Sequence, residues 1–451
     1  MSQTGHAIIE RREDHNSGSC VRTASEWHRL YKGKIALALK VPVTSLRDLA
    51  VWYTPGVAQP CREIAEDPQK LSEYTNLGNL IAIVTDGSRM LGLGNIGRAG
   101  LPVMEGKALL YKFLGDVDAF PICLSTQDPD EIVQATKWIA SSFGGINLED
   151  IESPKSFYVF ERLRNELEIP VFYDDYQGTA TVVLAALLNA LKIVGKRLNS
   201  IRIAVVGAGT AALGSIRLAI EAGAKAGDIV MVDSKGIIYE GRENLDPYKA
   251  EMAKITNHAR NKGGVEDALK DADAVIALSR PGTISGEMIS TMADDPIVFA
   301  LANPDPEILP DVAKVAGARV VATGRPDLPN MVNNSLGFPA IFRGVLDVKA
   351  KSINSEMLLS AAYEIAEFAE EQGLEEDHIV PSMMDFPLYP RVAAAVGVSA
   401  INTRLATADL SYQALKESAE DRITKYQNSL RQLIKAGFIE NVPVNQGSTE
   451  L

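Results

Sequence analysis

Two runs of short apolar segments, alternating with amphipathic stretches, constrain this chain more than any other feature. Residues 80–85 (LIAIVT), 119–124 (AFPICL) and 169–173 (IPVFY) read as strands, and residues 130–142, 156–168 and 178–194 read as helices. A second series starts at Ile201, with strand-like runs at 201–206, 228–232, 273–278, 297–301 and 318–322. Continuous apolar strands separated by helices specify parallel sheets, whose connecting loops gather at the strands' carboxyl edges. The expected class is therefore α/β, with a first α/β unit, a doubly wound second unit and a helical segment after about Ser335. In that segment residues 355–372, 391–406 and 410–436 carry helix-spaced apolar positions. Residues 1–25 are polar and unpatterned, and read as a loose extension.

Composition narrows the partners. With 45 Lys and Arg against 58 Asp and Glu, the formal charge is −13, which disfavours nucleic acid or an anionic membrane as the main partner. No apolar run reaches the ~18 residues of a membrane span. The best one, 179–194, is interrupted by Asn189 and Lys192 and reads as a buried helix. No signal-peptide core is visible near the start, and Cys20, Cys61 and Cys123 fit no zinc or disulfide spacing, so a cytoplasmic setting is expected. None of His6, His15, His28, His258 and His378 lies near a glycine turn or an acid cluster. Any proton chemistry then falls to Lys, Tyr and carboxylates.

Gly207-Ala208-Gly209-Thr210-Ala211-Ala212 follows a strand and opens a helix. The first glycine permits the turn, the second admits a pyrophosphate, and small Ala212 lets helix and strand pack closely. Asp233, 26 positions after Gly207, ends the next strand, where a carboxylate would accept from a ribose 2′-OH. That carboxylate favours NAD over NADP by repulsion, with Lys235 close enough to weaken the preference. Without the strand–helix context the same residues would be an ordinary glycine turn.

Glu149-Asp150 and Asp174-Asp175 each end a strand, 25 positions apart. Adjacent parallel strands would bring all four acids to one sheet edge, where mutual repulsion calls for a compensating cation. All-oxygen donors suit Mg²⁺ or Mn²⁺. Either pair alone would be a solvated helix cap. Lys107, among Gly, Ala and Leu, could be desolvated into a usable base with a lowered pKa, or could be a surface lysine. Tyr53 sits on a Pro-Gly turn, Arg89 follows the first strand, and Asn303, Asn333 and Asn334 fall on loops at the second sheet's carboxyl edge. Each of these five, alone, is also an ordinary surface or turn residue.

Taken together, YTPGVA (53–58), VTDGSRMLGLGNIG (84–97), EGKALL (105–110), GGINLEDI (144–151), VFYDDYQGTA (171–180), VVGAGTAALG (205–214), ANPDPE (302–307) and VNNSLGFPAIFRG (332–344) resemble malic enzyme. The small bacterial or archaeal type is the nearest pattern, although Arg89 is more like the large eukaryotic branch, and Tyr173 and Tyr176 depart from it. The resemblance implies oxidative decarboxylation of malate to pyruvate and CO₂. Tyr53 would be the acid and Lys107 the base, with Glu149, Asp150 and Asp175 as metal ligands and Asp174 beside them. Malate would be held by Arg89, Asn303, Asn333 and Asn334. NAD or NADP would lie on Gly207, Gly209, Thr210, Ala211, Ala212 and Asp233, with Asn303 at its edge. The implied division is an extension (1–25), a substrate and metal domain (26–177), a Rossmann-type cofactor domain (178–334) and a helical segment packing back on the first domain (335–451), in a homodimer.

Three other readings share some of these features. A two-domain amino-acid dehydrogenase pairs a lysine base with a Rossmann domain but needs no acid cluster. A malolactic-type lyase or oxaloacetate decarboxylase would retain NAD without net reduction. A nucleotide sensor would need no intact Tyr53, Lys107 and acid set.

Overall fold

The computed structural model describes residues 15–90, 92–406 and 408–441. The first sheet comprises β1 (Leu80–Thr85), β2 (Asp118–Cys123), β3 (Gly145–Leu148) and β4 (Val171–Tyr173), parallel throughout in the order β2-β1-β3-β4. The second holds β5 (Ile203–Val206), β6 (Ile229–Asp233), β7 (Gly236–Ile237), β8 (Ala274–Ala277), β9 (Ile297–Ala300) and β10 (Val320–Thr323). Its order is β10-β9-β8-β5-β6-β7, parallel except for the short edge strand β7. Nearly every residue of β1, β3, β5, β8, β9 and β10 is buried, as parallel strands covered on both faces require.

Nine helices precede β6 among the described residues: α1 (His15–Tyr31), α2 (Leu46–Trp52), α3 (Ala58–Glu66), α4 (Leu71–Tyr74), α5 (Leu101–Gly115), α6 (Pro129–Ile139), α7 (Lys155–Glu166), α8 (Thr179–Ile193) and α9 (Thr210–Glu221). Helix α8 is apolar on all sides because it is enclosed, packed between α9 and helix Ser355–Gln372. Its Asn189 is satisfied there, donating to the carbonyls of Ala366 and Ile379, both at 2.9 Å. No described helix is long and apolar enough to cross a membrane.

The later helices Phe338–Asp347, Leu388–Asn402 and Tyr412–Lys435 contact α5. Buried Arg343 donates to Asn79 Oδ1 at 2.6 Å, Arg422 reaches the same oxygen at 2.8 Å, and Tyr111 packs on Phe338 with ring centroids 4.6 Å apart.

Several boundaries differ from the sequence reading, each for a physical reason. Residues 15–25 belong to α1 instead of a loose extension; the helix is polar enough that no apolar stripe announces it, and residues 1–14 lie outside the described set. Strand β4 starts at Val171, not 169, because Pro170 has no N–H to pair and contributes only its carbonyl, accepting from Ile146 N at 2.9 Å. Helix Leu388–Asn402 starts three residues before 391, since Pro390 is tolerated in a first turn.

Candidate active site

The carboxyl edge of the second sheet is built from backbone. Gly207 leaves β5 at φ +112°, and a Cβ there would lie 2.4 Å from the Leu278 carbonyl, so only glycine fits. Nothing within 4 Å would meet a Cβ on Gly209, which leaves open space at the amino end of α9, where Thr210 and the fully buried Ala212 lie. Ala211 sits between them, partly exposed. Open space at a helix's amino terminus is what a pyrophosphate needs. Asp233 ends β6, but its carboxylate is already clasped by both terminal nitrogens of Arg242, which also donates to the Gly236 carbonyl at 2.8 Å. Lys249 lies 3.7 Å away. Burial is more than offset by Arg242, and the Asp233 carboxyl is held below its ordinary range.

The carboxyl edge of the first sheet is built from charge. β3 and β4 are adjacent and parallel, and they deliver Glu149, Asp150 and Asp174 to one buried place, with Asp175 partly exposed beside them. Lys107 reaches in from α5, its Nζ 2.5 Å from Asp174 Oδ2, 2.9 Å from Glu149 Oε1 and 4.2 Å from the Phe338 ring centre. Asn334 donates to the same Asp174 oxygen, and Asp150 N donates to Asp175 Oδ2 at 2.8 Å. A π turn, Asp174–Gly178, lets the chain enter α8; Gly178 is needed because a Cβ would overlap Asp174 Oδ1 at 1.9 Å.

Burial raises the pKa of Glu149 and Asp174, and the neighbouring carboxylates add to it against the pull of Lys107. Asp150 is pushed up to about 7 by burial and then by the charge of Asp175. For Lys107, burial alone would lower the pKa, but Asp174 and Glu149 outweigh it and the value rises. The sequence expectation of a lowered pKa is thus corrected: the lysine is desolvated as expected, but in contact with two carboxylates.

The residues present fit a divalent cation by donor chemistry. Three buried or half-buried carboxylates repel one another, all offer oxygen, and Asp174 Oδ1 is buried without a hydrogen-bond partner. As they stand, no three His, Cys, Asp or Glu side chains among the described residues form a finished cage, and of the three named ligands Glu149 is paired with Lys107 at 2.9 Å.

The two edges meet. A Cβ on Gly92, in the loop after β1, would lie 3.2 Å from the Asn303 carbonyl. Gly214 in α9 packs on Tyr176 so closely that a Cβ would lie 2.2 Å from its carbonyl. Asn334 spans the gap directly, while Asn333 caps the following turn by accepting from Ser335 N at 2.9 Å. Arg89 is exposed, with its backbone N–H on the Asp150 carbonyl at 3.1 Å. Asn303 is exposed on the facing loop, its amide against Gly324. Tyr53 is not brought in. It is 73% exposed on the turn after α2.

Several supporting residues escaped the sequence reading. Asn147 donates to Glu149 Oε2 at 2.9 Å and accepts from Tyr111 at 3.0 Å. Ser88 Oγ accepts from Glu152 N at 2.8 Å, and Asp86 is paired with Lys155 at 2.6 Å. Tyr173 donates to the Ile151 carbonyl at 3.1 Å. For Asn147 a signal existed, a polar residue inside an apolar strand two positions before an acid; the others depend on contacts distant in sequence.

Comparison with known proteins decides the family. Residues 32–164 match the malic enzyme N-terminal domain, and residues 176–401 match the malic enzyme NAD binding domain. The chain belongs to the malic enzyme family. It is 50% identical over 381 residues to the bifunctional malic/malolactic enzyme of Bacillus subtilis, covering 84% of this chain and 92% of that one. It is 48% identical over 378 residues to the NAD-dependent malic enzyme of Geobacillus stearothermophilus, covering 84% and 78%. The crystal structure of malic enzyme from Pyrococcus horikoshii superposes with a TM-score of 0.88 at 48% identity, over 92% of this chain and 99% of that one. Fold class and family thus agree with the resemblance drawn from the motifs.

Proposed function

We propose that this malic enzyme family member oxidatively decarboxylates L-malate to pyruvate and CO₂ while reducing a nicotinamide dinucleotide. The observation that carries this reading is Lys107, buried between Glu149 and Asp174 at one sheet edge and linked through Asn334 to the edge that bears the Gly207 turn. Residues 26–177 carry the substrate and cation side and residues 178–334 the cofactor side; of the described helices after 335, Phe338–Asp347, Leu388–Asn402 and Tyr412–Lys435 brace the first and Ser355–Gln372 braces α8 and α9 of the second.

Lys107, held as an ammonium by its carboxylates, passes a proton to Asp174 in contact with it and then takes the C2 hydroxyl proton. The Lys107–Asp174 pair thereby gains one proton while hydride leaves C2 for the nicotinamide. The C3–C4 bond then breaks, CO₂ departs, and its electron pair remains on C3 as an enolate. Tyr53 donates a proton to C3, giving pyruvate. Mg²⁺ or Mn²⁺ held by Glu149, Asp150 and Asp175 would supply Lewis acidity toward the C2 oxygen and charge stabilisation for the enolate. Arg89 and the Asn303, Asn333 and Asn334 amides hold the substrate carboxylates. Loops from both edges exclude water, so that protonation is confined to the enzyme's acid.

For the cofactor, Gly207, Gly209, Thr210, Ala211 and Ala212 receive the pyrophosphate, and Asp233 favours NAD. Similar proteins are named for NAD and for NADP. Here the Arg242 pairing cancels much of the repulsion that Asp233 would exert on a 2′-phosphate. The assembly we propose is a cytoplasmic homodimer.

The test is an assay of L-malate with NAD or NADP, with Mn²⁺ or EDTA, measuring reduced cofactor and pyruvate together. Equimolar products, abolished by EDTA, are expected. Conversion of malate to lactate with no net cofactor reduction would replace this reading by the malolactic one, which the name of the Bacillus subtilis relative keeps in play.

A further inference from the structure

Strands β8 and β9 end side by side, with Ala277 in register with Ala300. One residue further on, Leu278 N still donates to the Val206 carbonyl at 2.8 Å and Leu301 N to the Ala277 carbonyl at 3.0 Å. There the ladder stops. The next N–H groups, on Ser279 and Ala302, both go to one side chain. Glu307 Oε1 accepts from Ser279 N at 2.5 Å and from Ser279 Oγ at 3.2 Å, and Oε2 accepts from Ala302 N at 3.0 Å.

Glu307 is fully buried, and its own carbonyl accepts from Ile284 N at 3.3 Å. Hydrogen bonds to an ionised acceptor are stronger than neutral ones, and a buried carboxylate engaged through both oxygens is held rigidly. One group thus closes the carboxyl ends of two neighbouring strands.

What it fixes lies on both sides of the cofactor edge. On one side, Leu278 and Ser279 wall the glycine turn: a Cβ on Gly207 would lie 2.4 Å from the Leu278 carbonyl and 3.5 Å from Ser279 Cβ. On the other, Ala302 leads directly into Asn303, whose carbonyl faces Gly92 across the gap and whose amide lies against Gly324. Glu307 therefore ties the wall of the cofactor turn to the amide assigned to malate.

We propose that Glu307 is a positioning residue for hydride transfer. By holding Ser279 and Ala302 on one carboxylate, it sets the approach of malate C2 to the nicotinamide. This rests on the malate-oxidising reading and names the group that aligns its first step. Alignment of reacting atoms is sensitive, a displacement of ~1 Å costing about 10²-fold in rate.

The test is Glu307→Gln in the full-length protein, which keeps the side chain's size but turns one acceptor into a donor facing a backbone N–H. With saturating L-malate, Mn²⁺ and nicotinamide dinucleotide, the first turnover of cofactor reduction should slow about ten- to hundredfold. Malate deuterated at C2 should slow it further, which marks the step as hydride transfer. Mn²⁺ affinity, set at the other sheet, should match the wild type. A purely structural role would lower the amplitude, because fewer molecules fold, and leave the rate alone. Ser279→Ala removes only the 3.2 Å bond from a half-buried loop residue and should slow the same step about two- to tenfold.

A wild-type rate in Glu307→Gln overturns the proposal and leaves malate oxidation standing. A slower rate indifferent to deuterium places the loss in another step and overturns it as well. Should Glu307→Gln fail to fold, Ser279→Ala decides, and a wild-type rate there overturns the proposal. A wild type that reduces no cofactor with malate overturns the underlying reading, and the proposal with it.

Discussion

The two sheets end in edges of opposite character. The second presents backbone: a glycine turn packed against the Leu278 carbonyl and a helix terminus with open space before it. The first presents four acids and a lysine, folded in on themselves by ion pairs at 2.5 and 2.9 Å. A backbone edge is ready before its ligand arrives. A charged edge must exchange internal pairs for external ones, so its function depends on what binds. The account therefore predicts that substitutions at the two edges separate chemistry from cofactor affinity.

The largest effect belongs to the charged edge. Lys107→Ala should lower kcat ~10²–10⁴-fold, with NADH affinity by fluorescence titration unchanged; a parallel loss of NADH binding would dissolve the distinction. Next is Gly207→Ala, where a Cβ meets a carbonyl at 2.4 Å with φ at +112°. Strain of about 1–3 kcal/mol should weaken NADH binding by roughly five- to 150-fold, while Mn²⁺ binding persists. A smaller change is expected from Arg242→Ala, which frees the Asp233 carboxylate: the NAD to NADP ratio of kcat/KM should rise by about tenfold, and an unchanged ratio would make the Arg242 pair purely structural.

The smallest effect lies at neither edge. Asp118, at the opposite end of the first sheet, is burdened by partial burial, yet Lys112, Asn79 and Lys40 hold its pKa down to about 2. Its folded value lies below its unfolded one, so its stabilisation is present above about pH 4 and fades as the pH falls toward 2. After solvent screening it amounts to about 1 kcal/mol. Asp118→Asn should flatten that part of the acid-unfolding curve and leave activity at neutral pH intact.

The same contrast explains what the sequence made legible. The Gly207 turn could be read residue by residue because its requirements are local: a positive φ, a small side chain, a strand before and a helix after. The acids could be read as two pairs, and the parallel alternation placed them on one edge. Their partners could not be read. Phe338 over Lys107, Asn334 on Asp174 and Arg242 on Asp233 are contacts across long or unpatterned stretches, and the direction of the Lys107 pKa depended on how closely Asp174 and Glu149 approach the lysine. Tyr53 was legible as a motif but not as a location, since the fold leaves it exposed on the turn after α2.

Metal titration tests the central claim most directly. Free Mn²⁺, followed by electron paramagnetic resonance as the full-length protein is added, should report one tight site per chain. That site should be lost in Glu149→Gln and in Asp175→Asn and kept in Gly207→Ala. Tight binding that survives both carboxylate changes would contradict the assignment of the first sheet's edge as the place where cation and malate meet.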